Sequence, residues 1–184
     1  MNLSSADKQL LLQTARDSIA AQLTGKTAVP VKTASPVLGE LRGAFVSLHR
    51  QGQLRGCIGY IEALKPLLET VREMAPAAAF QDPRFRPLQA SELADLEIEI
   101  SVLSPLHLIK NPDEIEVGRH GLYIVRGINR GLLLPQVATE YHWDRLTFLE
   151  QTCNKAGLPP DAWKDPHTQI YSFSAEVFDD HPHP

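Results

Sequence analysis

The stretch Leu96-Glu97-Ile98-Glu99-Ile100-Ser101-Val102 alternates apolar and polar residues without a break. Successive side chains of a strand point to opposite faces, so Leu96, Ile98, Ile100 and Val102 share an inward face and Glu97, Glu99 and Ser101 an outward one. A strand covered on one side only is the habit of antiparallel sheets. Two hairpins are predicted around it. In the first, Gly43–His49 returns through Arg50-Gln51-Gly52-Gln53 into Leu54–Tyr60. In the second, Gly121–Val125 returns through the turn-rich residues 126–130 into Gly131–Leu134. Thr168–Phe173 and Glu176–Phe178 read as a last strand or pair.

Helices are signalled by a different period. Ser4, Ser5 and Asp7 offer caps and an early acid before Leu12, Ala15, Ile19 and Leu23, which recur at three and four residues up to Gly25. Residues 26–39, with Pro30 and Pro36, read as an extended connector. A helix over about 65–80 starts at Pro66 and carries Leu67, Leu68, Val71, Met74 and Ala78, with Pro76 expected to kink or shorten it. Asp82-Pro83-Arg84-Phe85 has the acid and the proline that type I turns prefer, and Asn111–Ile115 reads as a short helical turn. A helix over about 143–156 places Leu146, Leu149, Cys153 and Ala156 on one face, which makes Cys153 a core residue. Residues 179–184 are expected to fray. No βαβα rhythm appears, so the fold class expected is α+β with a mainly antiparallel sheet and packing helices, a mixed sheet being the alternative.

At 184 residues the chain suits one domain, or a domain with a small lobe. A formal net charge of −4 and a pI near 6.0 argue against general binding of nucleic acid. No run is long and apolar enough for a membrane span, and the first residues lack the pattern of a signal peptide, so a cytoplasmic location is the expectation. Cys57 and Cys153 lie in unrelated segments, which fits a reducing compartment and is no disulfide framework. Two cysteines and scattered histidines, His181 and His183 included, give no metal site. No glycine-rich phosphate loop is present, and no cofactor is expected.

The residues with chemical potential gather at Leu54-Arg55-Gly56-Cys57-Ile58-Gly59-Tyr60. Glycine in a strand often marks a bulge or a close approach of ligand or backbone. Unless a bulge intervenes, Arg55, Cys57 and Gly59 share a face, and a cation beside a thiol raises its thiolate fraction. Burial reverses that shift, and a small buried hydrophobe is the commoner role of a free cysteine. A nucleophile also needs a base. His120, at the mouth of a strand, is the histidine to pair with it, with His49 and His142 as runners-up among seven. Glu97 and Glu99 either bind or move protons, or simply face solvent. Asp82 and Arg84 either pair beside the site or anchor their turn.

Taken in order, Gly43–Leu48, Leu54–Gly59, Asp82–Phe85, Glu99–Leu103, Gly118–Leu122 and Leu134–Ala138 resemble the AMMECR-type domain, whose bacterial and archaeal members are called protein A of the AmmeMemoRadiSam system. The Leu-Arg-Gly-Cys-Ile-Gly block is that family's hallmark. The resemblance implies a compact protein with a larger and a smaller lobe and a cleft bordered by the hallmark segment. By position it implies Arg55, Gly56, Gly59, Asp82, Arg84, Phe85 and Gln136 as ligand-binding residues beside the catalytic candidates Cys57, His120 and Glu99. It carries over no reaction. Two roles follow as expectations: an enzyme acting on a small polar substrate through Cys57, or a non-catalytic binding module for a small ligand or a protein partner. By family context that partner is a Memo-like or radical-SAM protein.

Overall fold

The computed structural model describes residues 3–180. In chain order its elements are α1 (Ser5–Leu23), β1 (Ala44–Arg50), β2 (Gln53–Tyr60), α2 (Leu67–Phe80), β3 (Glu97–Leu103), β4 (His107–Leu108), β5 (Gly121–Arg126), β6 (Asn129–Leu133), α3 (Pro135–Glu140), α4 (Arg145–Lys155), β7 (Gln169–Phe173) and β8 (Ala175–Asp179). Short 3₁₀ segments at Pro36–Gly39, Ala90–Asp95, Pro112–Glu114 and Ala162–Lys164 join them. Helices and antiparallel sheets make an α+β fold, as the alternation at Leu96–Val102 demands. The chain divides into two compact units, Met1–Leu103 with Glu176–Pro184, and Ser104–Ala175.

The larger unit holds a four-stranded sheet in the order β2-β1-β3-β8, with β1 antiparallel to both β2 and β3. Ala44, Val46 and Leu48 of β1 and Ile98, Ile100 and Val102 of β3 are fully buried in one core with residues of α1 and α2. The helices therefore cover one face of the sheet. Burying each of the larger apolar side chains is worth about 1.5–3 kcal/mol. α1 starts in a capping box of Ser4 and Asp7, as its sequence predicts. Its buried face runs through Leu11, Ala15 and Ile19, while Leu12 and Leu23 pack only at the rim. Pro76 sits inside α2 without shortening it, because Val71, Met74, Ala75 and Ala78 hold both halves of the helix on the core.

The last strands part company. β7 joins the second sheet, β4-β7-β5-β6, and β8 joins the first. Asp179 ends β8, and Asp180 is pinned to β3 by accepting the Ile98 N–H at 2.8 Å and donating to the Ile98 carbonyl at 3.1 Å. Fraying therefore does not reach these two residues, and the rest of that expected tail, 181–184, lies outside the described residues. In the smaller unit Phe148, Leu149 and Cys153 of α4 are buried with Leu122, Ile124 and Ile170. Leu146 departs from its expected place and is 51% exposed in the first turn, where Phe148 supplies the apolar contact. Among the described residues no helix is long and apolar enough to cross a membrane.

Candidate functional site

The hairpin of β1 and β2 turns through Gln51 and Gly52, both with positive φ, at 54° and 73°. That is the two-residue turn whose twist matches paired strands. The register then slips: His49 faces Leu54 but Leu48 faces Gly56, so Arg55 is an extra residue in β2. The bulge takes Arg55 out of the alternation that would have set it beside Cys57. Its Nε and Nη2 donate instead to both carboxylate oxygens of Glu92, at 2.9 and 3.0 Å, with both side chains largely buried. This pairing, with the Gln89 N–H and Arg50, holds the Glu92 carboxyl down at about 2.

Beyond the bulge, Ser47 faces Cys57 on one side and Glu99 on the other. A thiol, a hydroxyl and a carboxylate thus form one row across three strands, on the face opposite the helices. The Ser47 hydroxyl donates to the Cys57 sulfur at 3.2 Å. Burial pushes the Cys57 thiol up, and the charges of Asp82 and Glu99 act in the same sense, against Ser47 and Arg84. The cation that favours the thiolate is therefore Arg84, while the guanidinium of Arg55 is spent on Glu92.

The space beside Gly56 and Gly59 is filled by the protein itself. A Cβ on Gly56 would lie 2.1 Å from the Ala78 carbonyl oxygen, so α2 rests directly on β2. A Cβ on Gly59 would meet the Phe45 ring at 2.5 Å, the ring of its cross-strand partner. The close approach of α2 at Gly56 brings Asp82, just beyond the helix, to the outer edge of β2. There the Asp82 carboxylate accepts the Cys57 N–H at 2.9 Å, and Arg84 Nη2 donates to the Cys57 carbonyl at 3.5 Å. Arg84 also donates to Asp82 through its backbone N–H, Nε and Nη2, at 3.1, 3.0 and 2.8 Å. Asp82 is both turn anchor and site residue.

This pair imitates the missing neighbour strand at Cys57 and blunts the edge of the sheet. The guanidinium holds the Asp82 carboxyl well below the usual carboxylate range, helped by the two N–H donors. The Asp82 side chain is 2% exposed and that of Arg84 57%, so the pair buries its anion and presents its cation. The Phe85 ring lies beside that cation, 5.4 Å from the guanidinium carbon.

His120 and Gln136 belong to the smaller unit. His120 Nδ1 accepts the Glu116 N–H at 3.2 Å, so in the neutral ring the proton sits on Nε2. Gln136 lies in the first turn of α3, where its carbonyl accepts the Thr139 hydroxyl at 2.8 Å. His49 is half-buried in β1, and His142 is exposed with a positive φ of 53°. Ser47 and Glu92 were not among the expected site residues. A hairpin count from Gln51-Gly52 would have brought Ser47 close, whereas nothing local marks Glu92 as the partner of Arg55.

A family model described as AMMECR1 matches residues 12–178. A protein of Thermococcus onnurineus is 47% identical over 183 residues, covering 94% of this chain and 89% of that protein. One from Methanothermobacter thermautotrophicus is 45% identical, covering 96% and 95% of the two chains. The crystal structure of the uncharacterized protein PH0010 from Pyrococcus horikoshii superposes with a TM-score of 0.86 at 44% identity, over 93% of this chain and 90% of that one. The matched residues run through both compact units and take in the row at Cys57 and the Asp82–Arg84 pair. The chain belongs to the AMMECR1 family.

Proposed function

We propose that this chain works as a binding module, with the edge of β2 at Cys57 as its recognition surface and Arg84 and Phe85 as the contact residues. The observation that carries this reading is the clamp on Cys57. Its backbone donor and acceptor are occupied by Asp82 and Arg84, and its thiol is driven toward the neutral form by burial, which outweighs the hydroxyl of Ser47 that donates to its sulfur. A poised nucleophile needs the opposite environment. What the surface offers instead is a guanidinium fixed by a buried carboxylate, next to an aromatic ring. An occupant bearing a carboxylate or phosphate oxygen and an apolar flank suits it, whether a small ligand or a segment of a protein partner. The family resemblance suggests Memo-like or radical-SAM proteins as that partner, in the cytoplasm. Because the edge is already capped, recognition proceeds through side chains and not by strand addition.

The competing reading makes Cys57 a nucleophile, with Glu99 as the base reached through Ser47. Alkylation separates the two. Iodoacetamide modification of Cys57, followed by mass spectrometry from pH 6 to pH 10, is expected to be slow at neutral pH and to rise only in the alkaline part of the range, because burial raises the thiol above its ordinary value near 8.5. Rapid, pH-independent labelling around pH 7 would show a stabilised thiolate and reject the binding-module reading.

A further inference from the structure

The smaller unit holds a cavity of about 310 Å³ walled by His107, Glu114, Glu116, Arg119, His120 and Ser172, among others. Ser172 is only 4% exposed, yet its hydroxyl has no hydrogen-bond partner among the described residues and is not among the polar atoms sealed from water. Buried hydroxyls are nearly always paired, so one that opens onto a cavity points to an occupant. Across the ladder Ser172 faces His107 on one side and Leu122 on the other, and His120 stands two residues before Leu122. Strand parity therefore sets His107, Ser172 and His120 on one face. Hydrogen-bonding capacity is left over there. His120 Nδ1 takes the Glu116 N–H at 3.2 Å, which leaves the Nε2–H of the neutral ring as a donor. Glu114 Oε1 accepts the Lys110 and Asn111 N–H groups at 2.9 and 2.8 Å, whereas Oε2 has only a 3.4 Å contact with His107 Nε2 and can accept more. The charges narrow the choice. Two carboxylates against one guanidinium disfavour an anion, and Arg119 is already engaged with Glu116 at 3.1 and 3.2 Å. An N–H donor at His120 disfavours an ammonium group. A flat apolar body finds no open ring either, since Phe173 is 2% exposed and lies against Gly121.

We propose that this cavity is a binding site for a small neutral polyol or sugar, held by the Ser172 hydroxyl, His120 Nε2 and Glu114 Oε2. Each hydroxyl of such a ligand both donates and accepts, so adjacent hydroxyls can answer a donor, an acceptor and a group that is either. The volume lies at the small end of the range for small-molecule sites. This site is independent of the surface at Cys57, and neither reading needs the other.

The probes are methyl α-D-glucopyranoside, methyl β-D-ribofuranoside and glycerol, with gluconate as the anionic control and cyclohexanol as a ring that has lost all but one hydroxyl. The readout is the backbone amide ¹H–¹⁵N resonances of His107, His120 and Ser172 in the full chain. At least one neutral probe is expected to shift them saturably, with a Kd on the order of 1 mM, while the amides of β1 and β2 stay in place. Ser172→Ala and His120→Asn should each weaken that binding about fivefold, as loss of one hydrogen bond does. Asparagine retains an acceptor for the Glu116 N–H and drops the Nε2–H, so the second variant tests the donor with the loop kept, and either variant serves if the other does not fold. No saturable shift with any neutral probe overturns the proposal and leaves water as the occupant. Tighter binding of gluconate, an equal response to cyclohexanol, or undiminished binding in the folded variants overturns it as well.

Discussion

Gly56→Ala is expected to destabilise the protein by about 3 kcal/mol or more, at the upper end of what one added methyl costs in a packed core. The reason is what the methyl would strike. Its carbon would lie 2.1 Å from the Ala78 carbonyl oxygen and 3.0 Å from the carbonyl carbon, and both are helix backbone that has no rotamer to change. Relief requires α2 to lift from β2, which loosens the contacts of Met74, Ala75 and Ala78 with the core. Gly39→Ala is the internal control. A Cβ there meets nothing within 4 Å and the backbone carries no positive φ, so that variant should be neutral or slightly stabilised. Denaturant midpoints of the two variants check the contrast, and equal midpoints would remove the claim that the glycine serves helix approach. A second consequence reaches the site. Lifting α2 moves Asp82 away from the Cys57 amide, so Gly56→Ala should also raise the alkylation rate of Cys57.

Much of this was legible before any coordinates, because it rests on period and on local chemistry. The alternation of Leu96–Val102 identifies β3 and its buried face, and Ser4 with Asp7 identifies the start of α1. The segment Leu54–Tyr60 reads as a strand with a thiol at its centre, and β2 is that strand. What failed to read out was tertiary. A straight count from the Gln51-Gly52 turn sets Ser47 opposite Gly56, and only the extra residue at Arg55 moves it to Cys57. The same bulge dissolves the expected pairing of Arg55 with Cys57, since no local pattern says that the arginine will find Glu92, far along the chain, more favourable. Arg84 takes the place assigned to Arg55 because α2 ends against Gly56, a contact between elements that neither element's own sequence encodes. The fate of β8 is similar. Its residues follow β7 almost directly, yet the two strands enter different sheets, which no local pattern in either strand announces.

Asp82→Ala is expected to lose about 2–3 kcal/mol, and the loss should be visible at one amide. The substitution removes the acceptor of the Cys57 N–H and of the Arg84 N–H, and an amide left without its acceptor carries its full desolvation penalty. Arg84 itself contributes little to that cost, because its guanidinium is already 57% exposed and turns to water when its partner is gone. Hydrogen exchange at Cys57 should therefore accelerate at least tenfold, whereas amides in the β4-β7-β5-β6 sheet should keep their rates. Asp82→Asn, which retains one carbonyl oxygen but no charge, should cost less, about 1 kcal/mol. The pH dependence follows from the direction of the shift. A carboxyl held below its unfolded value, near 3.9, contributes its full stability above that value and loses it as pH falls through the lower folded value. The stability gap between the parent chain and Asp82→Asn should thus stay constant from pH 7 to about pH 5 and close progressively below pH 4. Glu92, held at about 2, loses its contribution over the same acid range, so the parent chain should weaken there more than Asp82 alone accounts for. A gap that persists unchanged well below pH 4 would mean that the carboxylate's charge is not what secures Cys57. In that case the clamp would be one of shape that asparagine does not reproduce, and Cys57 exchange in Asp82→Asn should stay faster than in the parent chain at every pH.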